Sequence, residues 1–459
     1  MTAPPYRRIA VLDIGKTNAK VVVLDSGTGA EIAVLKRPNV TIKTGPYPHY
    51  DIEALWSFAL DALKTLAREP GFDAISITTH GAAAALLDQH GQLAMPVIDY
   101  EYEYPEAIRD GYAALRPSFD ETFSPRLAMG LNVGAQLHYQ RTAFPEAFAE
   151  VATILTYAQY WTARLTGVAA NELTSLGCHT DLWNPKTGSY SSLVDRLGIR
   201  ALMAPIRSAF DALGPVLPEI AAELGLAAPV PVYCGIHDSN ASLLPHLVHR
   251  EAPFAVVSTG TWVINFGVGG DLDHLDAKRD ALANVDAYGR AVPSSRFMGG
   301  REFEILSAEI GPVDEKAAQV AIGPVIEKGT MLLPNIAPGS GPFPEKTSRW
   351  IGAEEASREE RHAAACLYLA LMTDACLELI GAKGPVIVEG PFALNEIYLK
   401  LLAALAGREV LALPGSTGTS QGAALLTGIR PVSSAETHVP PAEIAGLFAY
   451  RDRWYAAME

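Results

Sequence analysis

Cysteine, long apolar runs and an export signal are what this chain has least of. Its 459 residues include four cysteines, at positions 178, 234, 366 and 376, without a close pair. This spacing excludes a disulfide framework and a cysteine-based zinc site, and it predicts buried thiols in a reducing cytoplasm. No run of about 18 consecutive apolar residues occurs, so we expect no membrane-spanning helix. The stretch Met1–Arg8 lacks the charged-then-apolar pattern of a signal peptide, and we expect a cytoplasmic protein.

Charge is also sparse, and one sign dominates. Charged residues make up 19% of the chain, and the formal net charge is −15. Such an acidic chain lacks the positive surface that nucleic acid or an anionic membrane requires, so we expect neither as a partner. The same charge repels a nucleotide, so a nucleotide site would need local compensation, which a divalent cation would supply. Apolar residues make up 49% of the chain, as is typical of a globular protein. At 459 residues the chain is too long for a single typical core, so we expect two domains.

Two segments 245 positions apart share one pattern. The first, Ile9–Asp25, and the second, Phe254–Phe266, each contain an apolar β-branched run, a short turn of glycine and hydroxyl residues, and a second apolar run. This pattern is typical of a β-hairpin with a tight turn. Exposed backbone N–H groups beside Thr and Asn side chains can bind phosphate. Two such turns therefore suggest a nucleotide held between duplicated halves.

On these residues the chain resembles the FGGY carbohydrate kinases, over roughly residues 7 to 430. Three motifs carry the resemblance: the first hairpin, Cys234–Ala241 and Ser258–Trp262. The last two are most similar to the kinases of rhamnulose and fuculose. The resemblance implies an α/β fold of two actin-like (ribonuclease H-like) ATPase domains around a deep cleft. Residues 1–247 would form the N-terminal domain with the sugar site, and residues 248–459 the C-terminal domain with the adenine site.

Apolar patterns along the chain alternate between strand and helix periods, which also favours an α/β fold. The predicted strands are the hairpin Ile9–Leu24, then Ala74–Thr79, Leu86–Asp88, Val230–Cys234, Phe254–Val257, Val263–Phe266, Val386–Glu389 and Val410–Leu413. The predicted helices are Trp56–Leu66, Glu150–Thr166, Ser239–Leu244, Arg301–Glu309, Glu359–Leu379 and Glu396–Ala406. We expect the domain boundary near Leu244–Glu251 and a loop at Pro334–Pro344.

Asp238 is the predicted catalytic residue. It follows an apolar strand and a glycine, so we expect its carboxylate to project from a strand end. Phosphoryl transfer to a sugar requires a group that accepts the hydroxyl proton, and a positioned Asp can do so. The alternative is that Asp238 caps the helix Ser239–Leu244, and both roles can coexist. His237 would line the sugar site or support Asp238, although a lone His is more often structural.

The resemblance assigns the cation, Mg²⁺, to Asp13, often through water, with Asp238 as the second carboxylate. The alternative for Asp13 is a turn residue that accepts local N–H groups. The residues assigned to the ATP phosphates in this half are Gly15, Lys16, Thr17, Asn18 and Lys20. Lys16 stands where relatives have a small residue. The sequence leaves two roles open for it, a contact with the phosphates or a side chain that faces solvent. Gly15-Lys16-Thr17 is not a P-loop, because position 10 is Ala and a strand follows.

In the second half the resemblance assigns Gly260 and Thr261 to the phosphates, and Gly300 to a close backbone approach to the nucleotide, with a plain turn as the alternative. Gly390 and Asn395 occupy the adenine-binding segment. Here the chain departs from the family, which usually has consecutive glycines where this chain has one followed by a proline. The departure leaves the nucleobase preference open. It also motivates a competing hypothesis, a non-catalytic sugar or nucleotide sensor derived from such a kinase.

The predicted sugar-binding residues are His80, Gly81, Tyr100, Glu101 and His237. An aromatic ring against a sugar face, with carboxylates that accept hydroxyl hydrogen bonds, is typical of sugar binding. A solvated acidic loop is the alternative for the segment that starts at Asp99. Glu172 aligns with a polar position near the sugar, and its role is open.

Residues 418–422 match the nucleophile-elbow pattern of hydrolases, but a helix start is the better interpretation, because Glu436 and His438 follow only two residues apart. The sequence therefore predicts an ATP-dependent kinase acting on a terminal hydroxyl of a small sugar, a ketose or 6-deoxyketose. Its partners would be the sugar and ATP, and a homodimer is left open.

Overall fold

The computed structural model describes residues 6–415, 418–430 and 435–459. By contacts the chain divides into two compact units. Unit 1 comprises Met1–His249, Ala283–Ala291 and Thr417–Ser433, and unit 2 comprises Arg250–Leu282, Val292–Ser416 and Ser434–Glu459. The single boundary that we predict at 247/248 does not anticipate the two later segments that belong with unit 1, and as a domain assignment it stays a prediction.

Unit 1 is built on a seven-stranded mixed sheet. Its strands lie in the order Ala212–Pro215, Pro231–Tyr233, Ala74–Thr79, Arg8–Ile14, Asn18–Asp25 and Glu31–Pro38, and Ile236–His237 also pairs with Ala74–Thr79. The first hairpin, Arg8–Ile14 with Asn18–Asp25, is antiparallel, with Asp13 opposite Lys20. Arg8–Ile14 and Ile236–His237 both run parallel to Ala74–Thr79. The carboxyl ends of these three strands therefore meet at one edge of the sheet.

Helices and short strand pairs complete unit 1. Its helices are Ile52–Arg68, Glu106–Leu115, Phe119–Thr122, Val133–Ala143, Pro145–Ala149, Tyr157–Thr166, Leu173–Leu176, Ser192–Arg196, Pro218–Leu224, Asp238–His249 and Thr419–Leu425, with a 3₁₀ turn at Arg200–Leu202. The paired short strands are Thr41–Ile42 with His49–Tyr50, Ala84–Leu87 with Thr153–Thr156, Asn171–Glu172 with Ile206–Arg207, and Trp183–Asn184 with Ser189–Tyr190. We call Thr419–Leu425 the late helix, because it joins unit 1 about 170 residues after that unit's main segment ends.

A second seven-stranded sheet, which belongs mainly to unit 2, repeats the plan. Its strands lie in the order Ala281–Val285, Ala291–Phe297, Val263–Val268, Phe254–Thr259, Val386–Glu389, Val410–Leu413 and Thr437–Val439. The second hairpin is Phe254–Thr259 with Val263–Val268. The pair Met331–Leu333 and Arg349–Ile351 lies apart from this sheet. The helices are Gly299–Ile310, Glu315–Val320, Ile322–Lys328, Arg358–Leu379, Glu396–Ala406 and Leu447–Ala456, with 3₁₀ turns at Leu272–His274 and Pro391–Leu394.

One helix of the described residues, Arg358–Leu379, is long and apolar enough to cross a membrane by length and composition. Its 18-residue apolar window is 94% buried in the structure. Side chains along it, among them Cys366 and Met372, belong to the hydrophobic core of unit 2. Packing in that core accounts for the apolar character of this helix.

The structure confirms most of the predicted elements and corrects one. Both hairpins form, and the loop at Pro334–Pro344 is free of helix and strand. The predicted helix Glu150–Thr166 is wrong in its first half: Thr153–Thr156 is a strand, and the helix begins at Tyr157. The physical reason is tertiary, since this β-branched run pairs with Ala84–Leu87, a partner that local periodicity does not reveal.

Candidate active site

Three neighbouring strand ends of unit 1 carry the predicted catalytic residue together with predicted metal-binding and sugar-binding residues. Asp13 lies at the end of the first strand, and the backbone N–H of His80 donates to Ile14 O at 2.9 Å. His237 pairs in register with Thr79, directly before His80. Asp238 follows as the first residue of its helix. Ligand sites of open α/β sheets form at such carboxyl ends, so this edge is the candidate active site of unit 1.

Asp238 is joined to His237 by a short polar contact. The distance from His237 Nε2 to Asp238 Oδ1 is 3.1 Å, and the Asp238 side chain is 31% exposed. Burial acts to raise the pKa of Asp238, but the adjacent His237 outweighs it, so this pKa lies below its usual value. Burial acts to lower the pKa of His237, but Cys178 and Asp238 raise it well above its usual value. The pair therefore keeps the Asp238 carboxylate ionised and partly open to a substrate.

The capping alternative for Asp238 finds limited support. Its Oδ1 accepts from the N–H of the next residue, Ser239, at 2.6 Å, whereas a helix cap accepts from the second or third residue of the helix. Asp238 is itself the first helical residue. Its carboxylate thus makes a local contact that does not occupy it fully.

Gly81 and His80 lie beside the Asp238–His237 pair. A Cβ added to Gly81 would lie 2.7 Å from His237 Nε2, so only glycine leaves room for that ring. His80 is buried, with Nδ1 2.7 Å from Gly81 O, and its Nε2 has no hydrogen-bond partner in the described part of the chain. Burial lowers the pKa of His80 to about 4. A neutral imidazole with an unsatisfied nitrogen is a ready partner for a sugar hydroxyl.

Lys16 lies among the predicted sugar-binding residues. Its ammonium group contacts Asp99 Oδ1 and lies 3.4 Å from Glu101 Oε2. It also stands 4.8 Å from the ring centre of Tyr100 and 5.2 Å from that of Tyr50. The sequence left two positions open for the Lys16 side chain, in contact with phosphate or in solvent. In the structure it lies in neither, because it contacts these carboxylates and rings. The sequence could not show this, because the two carboxylates come from a loop about 83 residues away.

The predicted aromatic contact of the sugar site lies next to His80. The Tyr100 ring is 5.5 Å from the His80 ring in an edge-on arrangement. Asp99 accepts from Thr41 Oγ1 at 3.0 Å and from the Glu101 N–H at 3.1 Å, in addition to Lys16. This carboxylate is therefore committed to holding the loop, and Glu101, which is exposed, is the more available acid.

The first hairpin presents a small exposed turn. Gly15 N–H donates to Asn18 O at 2.9 Å, and the side chains of Thr17 and Asn18 are exposed. Asp13 beside this turn is buried, and Lys20 Nζ lies 3.4 Å from Asp13 Oδ2. Among the described residues no group of three or more His, Cys, Asp or Glu could hold a metal by itself. Magnesium is usually held by one or two carboxylates together with substrate phosphates, and Asp13 next to a phosphate-type turn fits that donor set.

Unit 2 brings its predicted nucleotide residues together around the second hairpin. A Cβ on Gly300 would lie 1.8 Å from Gly260 O, and Arg301 N–H donates to Thr261 O at 3.2 Å. A Cβ on Gly390, whose φ is +82°, would lie 2.1 Å from Thr259 O. The start of the helix Gly299–Ile310 and the turn after Val386–Glu389 therefore pack directly on the hairpin turn. The Asn395 side chain caps the helix Glu396–Ala406 by accepting from Tyr398 N–H at 2.9 Å.

Sequence reasoning missed two residues at the edge of unit 1. Thr419 Oγ1 and Ser420 Oγ donate to Asp13 Oδ2, and both belong to the rival hydrolase motif. The predicted helix start there is confirmed, since the late helix begins at Thr419. His438, the histidine of that rival motif, has its Nδ1 2.8 Å from Glu409 Oε1. The signal available in the sequence was two hydroxyl residues at a helix start.

Glu172, left open by the sequence, is a structural group. It is buried, and its carboxylate caps the short helix Leu173–Leu176 by accepting from the N–H groups of Thr174 and Ser175. Burial raises the pKa of Glu172 to about 7. Thr174 Oγ1 in turn accepts from the N–H of His237 at 3.0 Å. Glu172 thus supports the backbone of His237 indirectly.

Comparison with known proteins gives matches over both halves. The profile of the FGGY family of carbohydrate kinases, N-terminal domain, matches residues 8–245, and that of the carbohydrate kinase FGGY C-terminal domain matches residues 251–436. The L-fuculokinase of Escherichia coli (strain K12) is 24% identical over 264 residues, 56% of this chain and 55% of that protein. The rhamnulokinase of Bacteroides thetaiotaomicron is 25% identical over 59% of this chain and 56% of that protein. The matches span little more than half the length of these curated relatives.

Solved structures resemble the chain over nearly its whole length. A carbohydrate kinase from Novosphingobium aromaticivorans is 39% identical, covers 98% of this chain and 100% of its own, and has a TM-score of 0.90. The xylulose kinase from Rhodospirillum rubrum has a TM-score of 0.80 at 19% identity, with 98% of each chain covered, and shows likeness of fold alone. These matches confirm the predicted two-domain fold of the actin-like ATPase class.

Proposed function

Because the chain belongs to the FGGY family of carbohydrate kinases, we propose that it transfers the terminal phosphoryl group of ATP to a small sugar. The observation that carries the proposal is the Asp238–His237 pair beside Gly81, at the same edge of the unit 1 sheet as the turn of the first hairpin. The names of the relatives, fuculokinase and rhamnulokinase, favour a ketose or 6-deoxyketose as acceptor. A terminal hydroxyl as the site of transfer is part of our proposal.

In the proposed reaction Asp238 accepts the proton of the attacking hydroxyl. Its lowered pKa keeps it ionised at neutral pH, as a proton acceptor must be. His237, whose backbone N–H donates to Thr174 and whose Nε2 lies 3.1 Å from Asp238 Oδ1, would fix the orientation of that carboxylate. His80, Tyr100 and Glu101 would bind the remaining hydroxyl groups. In phosphoryl transfer, positioning of this kind supplies much of the catalysis.

Each unit has an exposed turn that we propose as a phosphate-binding group. In unit 1 these are the exposed residues around Thr17 and Asn18, and in unit 2 those around Thr261. Asp13 would hold magnesium, which neutralises phosphate charge that a chain of net charge −15 cannot. Gly390 and the segment that follows would contact the nucleobase.

The test is a coupled ADP-release assay with rhamnulose, fuculose, xylulose, ribulose, erythritol and glycerol, each with several nucleotides. We expect sugar-dependent turnover that is selective for a ketose. Nucleotide binding without turnover on any acceptor would instead favour the sensor hypothesis that the altered adenine segment motivates.

A further inference from the structure

We propose that Thr419 and Ser420 are positioning residues for Asp13, the proposed cation-binding carboxylate. The hydroxyl groups of these two residues hold Asp13 in the orientation that magnesium requires. The inference rests on the proposed kinase function and deepens it at one site. It gives a role to a motif in residues 418–422 that the proposed reaction leaves without one.

The contacts converge on a single oxygen atom. Thr419 Oγ1 donates to Asp13 Oδ2 at 2.6 Å and Ser420 Oγ donates to the same atom at 3.0 Å. Lys20 Nζ lies 3.4 Å from it. Oδ1 takes part in none of these three contacts. Two short hydroxyl bonds to one oxygen fix the rotation of the carboxyl group, so the direction of Oδ1 is fixed as well.

Burial makes these hydroxyl groups important. Asp13 is 6% exposed and Ser420 is fully buried. A carboxylate in such surroundings needs donors, because water cannot replace them freely. Carboxylates that bind metals are themselves commonly held by further hydrogen bonds, and the loss of such a bond weakens metal affinity.

The late helix is seated too closely to shift by much. Ser76 Oγ donates to Ala423 O at 2.6 Å, and a Cβ on Gly422 would lie 1.7 Å from Ala241 O. Ala241 belongs to the helix that begins at Asp238. The late helix therefore contacts the element that carries the predicted base while its first residues hold Asp13. One helix thus sets the relative position of both carboxylates.

The experiment measures ATP binding by titration calorimetry across a magnesium series, without sugar so that no turnover occurs. Thr419→Val and Ser420→Ala, singly and combined, should raise the half-saturating magnesium concentration about 10- to 100-fold. In excess chelator, where no magnesium is bound, the affinity of these variants for ATP should equal that of the wild type. The single variants keep the test available if the combined variant does not fold.

Two further variants separate positioning from folding. Ser76→Ala removes a hydrogen bond that seats the same helix but does not touch Asp13. It should lower the melting temperature while leaving the magnesium dependence at the wild-type value. Thr419→Ser keeps the hydroxyl group and should restore magnesium dependence relative to Thr419→Val.

The outcomes are distinguishable. Equal magnesium dependence in Thr419→Val, Ser420→Ala and wild type would overturn the inference, as would an equal shift in Ser76→Ala. Wild-type ATP binding that ignores magnesium would overturn it too. A wild type that binds ATP with magnesium but phosphorylates no sugar would overturn the proposed function alone, and the positioning role would still be decided by the binding data.

Discussion

Asp238 is the residue on which the proposed chemistry depends. Asp238→Asn keeps the shape of the side chain and can still accept from Ser239 N–H, but it cannot take up a proton. We expect turnover to fall at least about 100-fold, the lower range for a general base, with little change in melting temperature. Asp88→Asn is the matched control, since Asp88 also accepts backbone N–H groups but in an exposed loop. A stable Asp238→Asn enzyme with more than about 10% of wild-type turnover would move the assignment to His237 or His80.

His80 should make stability depend on pH. Its pKa falls from 6.5 to about 4 on folding because it is buried. Between these values the unfolded chain binds more protons, so the folded state loses stability as the pH drops below 6.5. From about pH 7 to about pH 5 this contribution amounts to about 2 kcal/mol. His80→Asn should remove it. Urea unfolding of both proteins at the two pH values measures the difference, and parallel losses in the two would contradict the assignment.

At the scale of elements, the packing of the helix Gly299–Ile310 on the second hairpin sets the conformation of the turn that we propose as the phosphate-binding turn of unit 2. Gly300→Ala would place a Cβ against Gly260 O, so the turn must move. We expect kcat/KM for ATP to fall about 10- to 100-fold, because small displacements of binding groups carry such losses. Steady-state kinetics with ATP varied at saturating sugar provides the measurement.

Gly323→Ala controls for the loss of a glycine in unit 2. Gly323 lies in the helix Ile322–Lys328, and apart from its chain neighbours and the nearby helix backbone no described atom lies within 4 Å of the added Cβ. Because Gly323 lies in the first helical turn and directly precedes Pro324, the usual helix preference of Ala over Gly is offset there, and this change should shift the free energy of unfolding by less than about 1 kcal/mol in either direction, with unchanged kinetics. If Gly300→Ala also leaves kcat/KM unchanged, the tight contact with Gly260 does not shape the binding turn.

Elements with a local signal could be predicted from the sequence, and contacts between distant elements could not. The strands Ala74–Thr79, Val386–Glu389 and Val410–Leu413 and the helix Glu396–Ala406 have the predicted bounds. Their apolar periods reflect a single burial pattern over the whole element. The strand Thr153–Thr156 was missed because its partner, and not its own period, decides its state.

The same limit applies to the site. The positions of Asp13, His237 and Asp238 follow from strand ends that the sequence marks. The direction of the Lys16 side chain, and the hydroxyl groups that reach Asp13 from 406 positions away, depend on packing that no local pattern encodes. A single sequence therefore predicts which strand ends carry polar groups, but not what surrounds them.

At the scale of the whole molecule, unit 1 is not continuous in sequence. The late helix buries Ala423, Ala424 and Leu425, and Leu426 directly after it is buried too. This segment comes after the main part of unit 2 in the chain. Residues 1–249 expressed alone would lack this helix and its bonds to Asp13 and Ser76. We expect this fragment to unfold without a cooperative transition, because an apolar face and a buried carboxylate lose their partners.

A fusion supplies the decisive comparison. Attaching residues 418–430 to the fragment 1–249 through a flexible Gly/Ser linker should restore cooperative urea unfolding, followed by circular dichroism. The same fusion with Gly422→Val is its matched control, since a side chain there would meet Ala241 O and prevent seating. If the fragment alone unfolds as cooperatively as the fusion, the late helix is an addition to an already stable unit. If only the fusion with Gly422 unfolds cooperatively, the late helix is needed to complete the fold of residues 1–249, because it covers the apolar face that the fragment leaves exposed.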